Sequence, residues 1–148
     1  MFTKIVVGLD GSEQAGRALD VACDLAGKYG SEIHLVHTPK AETVAFALGA
    51  VAGYHAATTM PSAEKVKEAA QKVLGDAQEK MSGQSLSAEQ LHIGEADPAE
   101  DLVACARACG ADLIVTGRRG LGAVSGAVLG STSQKISHDA TCAHLTVA

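Results

Sequence analysis

The run Lys4-Ile5-Val6-Val7-Gly8-Leu9 carries no polar alternate after its first residue. A strand with one wet face alternates apolar and polar positions, so an unbroken β-branched run predicts a central parallel strand covered on both faces. Asp10-Gly11-Ser12 breaks it. From Glu13, apolar or small residues recur at Ala15, Ala18, Leu19, Ala22, Leu25, Ala26 and Tyr29, which is one face of a helix, and Gly30 supplies the stop. Ser31 to His37 then reads as a second strand. Strand, helix and strand form a βαβ unit with an expected right-handed crossover, the signature of an open parallel sheet.

Residues 38–61 show no clear period; the apolar stretch AETVAFALGAVAGYHAATTMP is expected to form a short helix or flap over a site or a partner surface. Ser62 caps a predicted helix to about Met81, with Ala63, Val66, Ala70, Val73, Leu74 and Ala77 inward. A third strand is expected over SLSAEQLHI, residues 85–93, whose polar alternates suit an edge position. Asp97-Pro98-Ala99-Glu100 is a helix start: Asp97 accepts unpaired N-H groups, Pro98 fits the first turn, and Glu100 completes an Asp-headed capping box. Leu102, Val103, Ala106 and Cys109 face inward and Gly110 ends that helix. Asp112 to Thr116 predicts the fourth strand, Ser131 to about His138 a short helix, and Cys142 to Val147 the fifth strand. The alternation specifies an α/β fold with an open five-stranded parallel sheet. No stretch of linker composition divides it, so residues 1–148 are expected to form one domain.

Composition narrows the function. With 47% hydrophobic and 20% charged residues the chain is globular, and only 3% aromatic content implies close backbone packing. A formal net charge of -5 and the absence of a Lys/Arg cluster argue against nucleic-acid binding. No apolar run approaches the roughly 20 residues that span a bilayer. The opening MFTKIVVGLDGSE carries an acidic residue and no cleavage pattern, which predicts a cytoplasmic protein. Cys23, Cys105, Cys109 and Cys142 lie in apolar surroundings and are expected to be buried free thiols. Cys105 and Cys109 share a helix face at i, i+4, but no second ligand pair lies near them in sequence, which argues against zinc. His34 and His37 point to opposite faces of a strand, and no nucleophile, base and orienting residue come together, so no catalytic or metal-ligating residue is assigned.

The chemistry concentrates in Ala111 to Gln134, ADLIVTGRRGLGAVSGAVLGSTSQ. A strand runs into a glycine-rich loop and then into a helix whose first turn presents N-H groups, an arrangement that attracts anions. Gly117 and Gly120 allow backbone N-H groups to approach a phosphate, Gly130 allows a sharp turn, and Ser131 is expected to cap the helix through S-x-x-Q with Gln134. No lysine precedes Ser131, unlike the Walker loop, so the loop suits holding a phosphate better than hydrolysing it. The matching loop after the first strand holds Asp10. An Asp before Gly-Ser can close an Asx turn, but Ser12 can cap the next helix and leave Asp10 for a ligand.

Gly117-Arg118-Arg119-Gly120, nine residues, then Gly130-Ser131-Thr132 resembles the ATP-binding signature of the universal stress protein family. KIVVGLDGSE, IHLVH and SQKISHDATC extend the resemblance over nearly the whole chain. It implies strand order 3-2-1-4-5, helices on both faces, and a homodimer through strand five. It implies ATP or AMP as bound ligand, with Mg²⁺ bridging the phosphates. By position, Leu9 and Asp10 would meet the ribose or a metal-phosphate group, Thr38 the adenine, and Thr116 and Gly117 the base and ribose side. Gly120, Gly130, Ser131 and Thr132 would hold the phosphates. Thr38-Pro39 departs from the family's usual His-Val ending, and Ala143-His144 from its Pro-Val after the late cysteine. A regulatory nucleotide binder in stress response is the leading expectation. A slow metal-dependent ATPase and a protein-interaction module with an empty loop are the alternatives.

Overall fold

The computed structural model describes residues 1–40, 44, 61–84, 86, 88, 90–120 and 129–148. The chain runs through β1 (Lys4–Leu9), α1 (Glu13–Tyr29), β2 (Glu32–His37), α2 (Ala63–Ser82), β3 (Gln90–Ile93), α3 (Pro98–Cys109), β4 (Leu113–Gly117), α4 (Ser131–Asp139) and β5 (Ala143–Val147). The strands form one parallel sheet of order β3-β2-β1-β4-β5. The flap expected over residues 38–61 lies outside the described residues except for its first three positions, Val44 and Pro61.

Both faces of the sheet are covered, as the unbroken apolar run of β1 requires. On one face Ile5, Val7, Leu9, Ile33, Leu35, Leu113 and Val115 pack against Ala18, Leu19 and Ala22 of α1 and Leu74, Ala77 and Met81 of α2. On the other, Val6, Val36 and Ile114 meet Leu102, Val103 and Ala106 of α3 and Ile136 of α4. Gly8 makes the second contact close: a Cβ there would meet Leu102 Cδ1 at 2.9 Å and Thr116 Cγ2 at 3.1 Å. Cys105 and Cys109 sit on this face, and burial, reinforced by Cys109, pushes the Cys105 thiol up to about 12. All four cysteines are free thiols; Cys23 and Cys105 are buried, while Cys109 and Cys142 are half-buried.

Three helix starts are closed by side chains. Ser12 accepts from Ala15 N-H, Ser62 from Lys65 N-H and Asp97 from Ala99 N-H. Gly30 and Gly110 end α1 and α3 in the left-handed region, with φ of 67° and 68°. Three expectations change. Ala63, expected on the inner face of α2, is exposed in its first turn, and Met81 is buried at the other end. Tyr29 is 48% exposed and stands edge-on to Phe2 instead of completing the α1 core face, where Cys23 is buried. Among the described residues the third strand is Gln90–Ile93, with Leu86 and Ala88 outside it, and Leu91 and Ile93 are 43% and 40% exposed on this edge strand. No helix among the described residues is long and apolar enough to cross a membrane.

Candidate functional site

The strand order reverses between β1 and β4, since the chain winds outward through β2 and β3 and returns to pair β4 with β1. Loops leaving the carboxyl ends of those two strands diverge to opposite faces and leave a crevice, the usual ligand position in such sheets. Asp10 follows β1. Its Oδ1 accepts the Ser12 N-H at 2.9 Å, closing an Asx turn, while Ser12 caps α1. The alternatives weighed for this loop therefore occur together, and Asp10 is engaged rather than left over. Gly11, at φ +81°, makes the turn.

The loop after β4 folds back onto the start of α1. Arg118 N-H donates to Val147 O at 2.6 Å, and Arg119 N-H to Gln14 Oε1 at 2.7 Å. A Cβ on Gly117 would sit 3.0 Å from both Arg119 O and Gln14, and one on Gly120 would collide with the Asp10 carboxylate. One on Gly130 would lie 3.2 Å from Arg118 O. Gly117 and Gly120 thus let the loop after β4 touch the β1 loop and the start of α1, and Gly130 lets that loop close on itself. Between them opens a cleft of about 400 Å³ lined by Gly11, Ser12, Glu13, Gln14, Arg17, Arg119 and Gly120. Arg119 lines this cleft, and the Nε atoms of both Arg118 and Arg119 are buried with no hydrogen-bond partner among the described residues.

Gly130, not Ser131, is the N-cap of α4. Its backbone is extended (φ -70°, ψ 155°) and its carbonyl takes the Gln134 N-H at 3.0 Å, so the helix begins one residue earlier than the S-x-x-Q spacing implies. No side chain caps this start and its first turn holds no acidic residue. Ser131 is exposed and Thr132 half-buried at the open end.

Thr116 and Ser133 hold α4 in place. Thr116 Oγ1 lies 3.3 Å from Ser133 Oγ and 2.8 Å from His144 Nε2, Ser133 donates to Gly117 O at 3.0 Å, and Ser137 Oγ meets His144 Nδ1 at 3.0 Å. The side chain of Thr116 is therefore committed to α4 and β5. Burial holds the His144 ring below the ordinary histidine range, which keeps it neutral in this network. At the end of β2, Thr38 Oγ1 donates to Asp101 Oδ2 at 2.7 Å, and Gly94 packs so closely that a Cβ would collide with both. His37 Nδ1 donates to Leu9 O at 2.7 Å and fastens β2 to the end of β1.

The fold thus brings Leu9, Asp10, Thr116, Gly117, Gly120, Gly130, Ser131 and Thr132 around the carboxyl ends of β1 and β4, with Thr38 at the end of neighbouring β2. Sequence reasoning missed Gln14, His37, Asp101, Ser133 and His144, which position the loops. Their partners are distant in the chain, and no local period marks them.

The sequence model described as the universal stress protein family matches residues 1–148. A universal stress protein of Thermus aquaticus is 36% identical over 148 residues, covering 99% of both chains. The universal stress protein YxiE of Bacillus subtilis is 31% identical over the same share. Among solved structures, UspA from Lactobacillus plantarum superposes with a TM-score of 0.76 at 20% identity, covering 99% of this chain and 97% of that one. A universal stress protein in complex with cAMP gives 0.69 at 23%, covering 99% and 97%. The universal stress protein from Archaeoglobus fulgidus in complex with dAMP gives 0.68 at 21%, covering 99% and 98%. Family match, relatives and sheet order agree, and the chain belongs to the universal stress protein family.

Proposed function

We propose that this protein binds an adenine nucleotide, ATP or AMP, in the crevice between the β1 and β4 loops and uses its occupancy as a regulatory signal in stress adaptation. One observation carries the reading. The start of α4 alone among the four helix starts described above lacks both a side-chain cap and an acidic first turn, and two buried arginine Nε donors with no partner among the described residues lie in the loop leading towards it. Unpaired N-H groups, a helix dipole and guanidinium donors together favour phosphate. The cAMP and dAMP complexes of structural relatives support an adenosine ligand.

In this reading Gly120, Gly130, Ser131 and Thr132 hold the phosphates, Asp10 and Leu9 take the ribose or a Mg²⁺-phosphate group, Thr116 and Gly117 line the base and ribose side, and Thr38 meets the adenine. The protein acts as a cytoplasmic homodimer through β5, an edge strand whose Leu145 is 37% exposed and whose outer ladder is open to a second copy. Titration calorimetry with ATP, ADP and AMP tests the reading. Saturable heat with at least one of them is expected, weakened by Gly130→Ala because the new Cβ presses on Arg118 O. Absence of both heat and thermal shift with all three overturns nucleotide binding in favour of an interaction module. Unchanged affinity in Gly130→Ala overturns the phosphate cradle.

A further inference from the structure

At the opposite end of the sheet from the crevice, β2 and α3 bring together residues far apart in sequence. α3 runs back across the sheet from the carboxyl end of β3 to the amino end of β4, so its last turns, with Cys105 and Cys109, lie over the amino-terminal half of β2. There the ring of His34, 3% exposed, meets both thiols: one ring nitrogen and the two Sγ atoms all lie within 4.8 Å of one another. We propose that His34, Cys105 and Cys109 form a binding site for a thiophilic d¹⁰ cation, Cu⁺ or Zn²⁺.

The donor set carries the assignment. Two thiolates and an imidazole select soft or borderline-soft ions over Mg²⁺ or Ca²⁺, which seek oxygen. Metal-sulfur bonds of about 2.3 Å and metal-nitrogen bonds of about 2.0 Å place three ligand atoms around one ion. A triangle with sides of at most 4.8 Å has its centre within about 2.8 Å of each corner, so closure asks about 0.5–0.8 Å of each ligand atom. Rotation about the cysteine side chains supplies that without moving the backbone. Cys105 and Cys109, one helical turn apart, project from the same face of α3. Cys109 is half-buried and offers an entry path, whereas His34 and Cys105 are enclosed by the apolar face around Val36 and Ala106.

His92 adds a second, independent observation. Its ring stacks on His34 with centroids 5.9 Å apart and planes at 22°, and its Nε2 is buried with no hydrogen-bond partner among the described residues. Stacked on the His34 ring, His92 is a neighbour of the site; the three donors alone complete a three-coordinate Cu⁺, and Zn²⁺ would take a water as its fourth ligand. Binding exchanges each Sγ-H for an Sγ-metal bond and releases the protons to solvent. The site shares no residue with the nucleotide crevice, and the proposal stands or falls independently of it.

The test uses the full chain purified under reducing conditions, titrated with Cu⁺ against a chromophoric Cu⁺ chelator and with Zn²⁺ against a chromophoric Zn²⁺ chelator. The wild type is expected to take up one equivalent of at least one ion. Cys109→Ser and Cys105→Ala should each weaken uptake by more than the roughly 10–100-fold that loss of an outer-shell partner costs. Cys23→Ala, in the core on the other face, should leave it unchanged. Co²⁺ should give a thiolate charge-transfer band in the wild type and none in Cys109→Ser, whose half-exposed position tolerates the change with the fold intact by circular dichroism. Wild-type uptake no tighter than that of Cys109→Ser for both ions overturns the proposal, and so does stoichiometric binding that survives both cysteine substitutions.

Discussion

Two helices, α3 and α4, start at the carboxyl edge of the same sheet and on the same face, yet their first turns are opposites. At α3, Asp97 accepts the Ala99 N-H at 3.0 Å, Pro98 removes one unpaired donor, and Glu100 and Asp101 place negative charge in the first turn. Burial raises the Asp97 carboxyl, but the Ala99 N-H and the Lys135 and Lys40 cations outweigh it and hold the group below its usual range. At α4 the cap is glycine, no side chain among the described residues accepts from the turn, and the first turn holds no acid. Lys135 of α4 reaches across to Glu100 and Asp97, at 2.6 and 3.5 Å, so the acids of one start tie the two helices together. A helix start that satisfies itself is structural. One whose dipole and N-H groups meet no compensating group among the described residues, beside two arginines, has chemistry available for a ligand.

The largest effect expected from breaking this contrast lies in the approach to α3. Gly94 N-H donates to His37 O at 2.9 Å, and a Cβ on Gly94 would collide with the Asp101 carboxylate and Thr38 hydroxyl. Gly94→Ala must displace one of them, at a cost of about 1–3 kcal/mol for overpacking. Urea unfolding measures that loss through the midpoint at constant slope. A midpoint equal to wild type would mean that the loop has room the packing does not show.

Asp97→Ala comes next. It removes the side-chain cap and one partner of Lys135, and cap removal costs about 1 kcal/mol. The stabilities of the two helix starts are expected to separate from their binding: thermal melting should fall by a few degrees while nucleotide affinity stays at the wild-type value. Loss of nucleotide affinity in a folded Asp97→Ala protein would show that the self-capped start also serves the ligand.

The two helix starts were unequally legible in the sequence. Asp97-Pro98 announces itself, because its cap and first turn are local chemistry, as are Ser12 and Gly30 around α1. The doubly covered β1 was equally plain, since an apolar run without alternation has nowhere to go but the middle of a sheet. At α4 the spacing of Ser131 and Gln134 pointed to a cap that Gly130 supplies instead, since the extended glycine already takes the Gln134 N-H. Gly117 and Gly120 stand out, but their reason does not: the Cβ atoms they lack would crowd Gln14 in the first turn of α1 and strike Asp10 in the loop before it. For edge strand β3 the polar alternation of 85–93 marks the strand but not its start: Gln90–Ile93 is strand, while Leu86 and Ala88 are not. The spacing of Cys105 and Cys109 is legible, but His34 joins them, as Thr116 joins Ser133 and His144, only through the packing of elements far apart in the chain.

The smallest change in stability carries the sharpest test. Ser131 is exposed in the first turn of α4, and Ser131→Asp places a carboxylate where the dipole is uncompensated. Acidic residues near a helix N-terminus contribute about 0.3–1 kcal/mol, so the variant should melt slightly above wild type. The same charge would occupy the anion position and repel a phosphate from it. ATP affinity is therefore expected to fall by about tenfold or more, equivalent to roughly 1.4 kcal/mol. Stability and binding moving in opposite directions is the signature of a site held open in the free protein. If the melting temperature rises and calorimetry finds ATP affinity unchanged, the start of α4 is merely uncapped and the phosphates bind elsewhere. If neither moves, the first-turn N-H groups are already satisfied, and the difference between the two helix starts has no functional content.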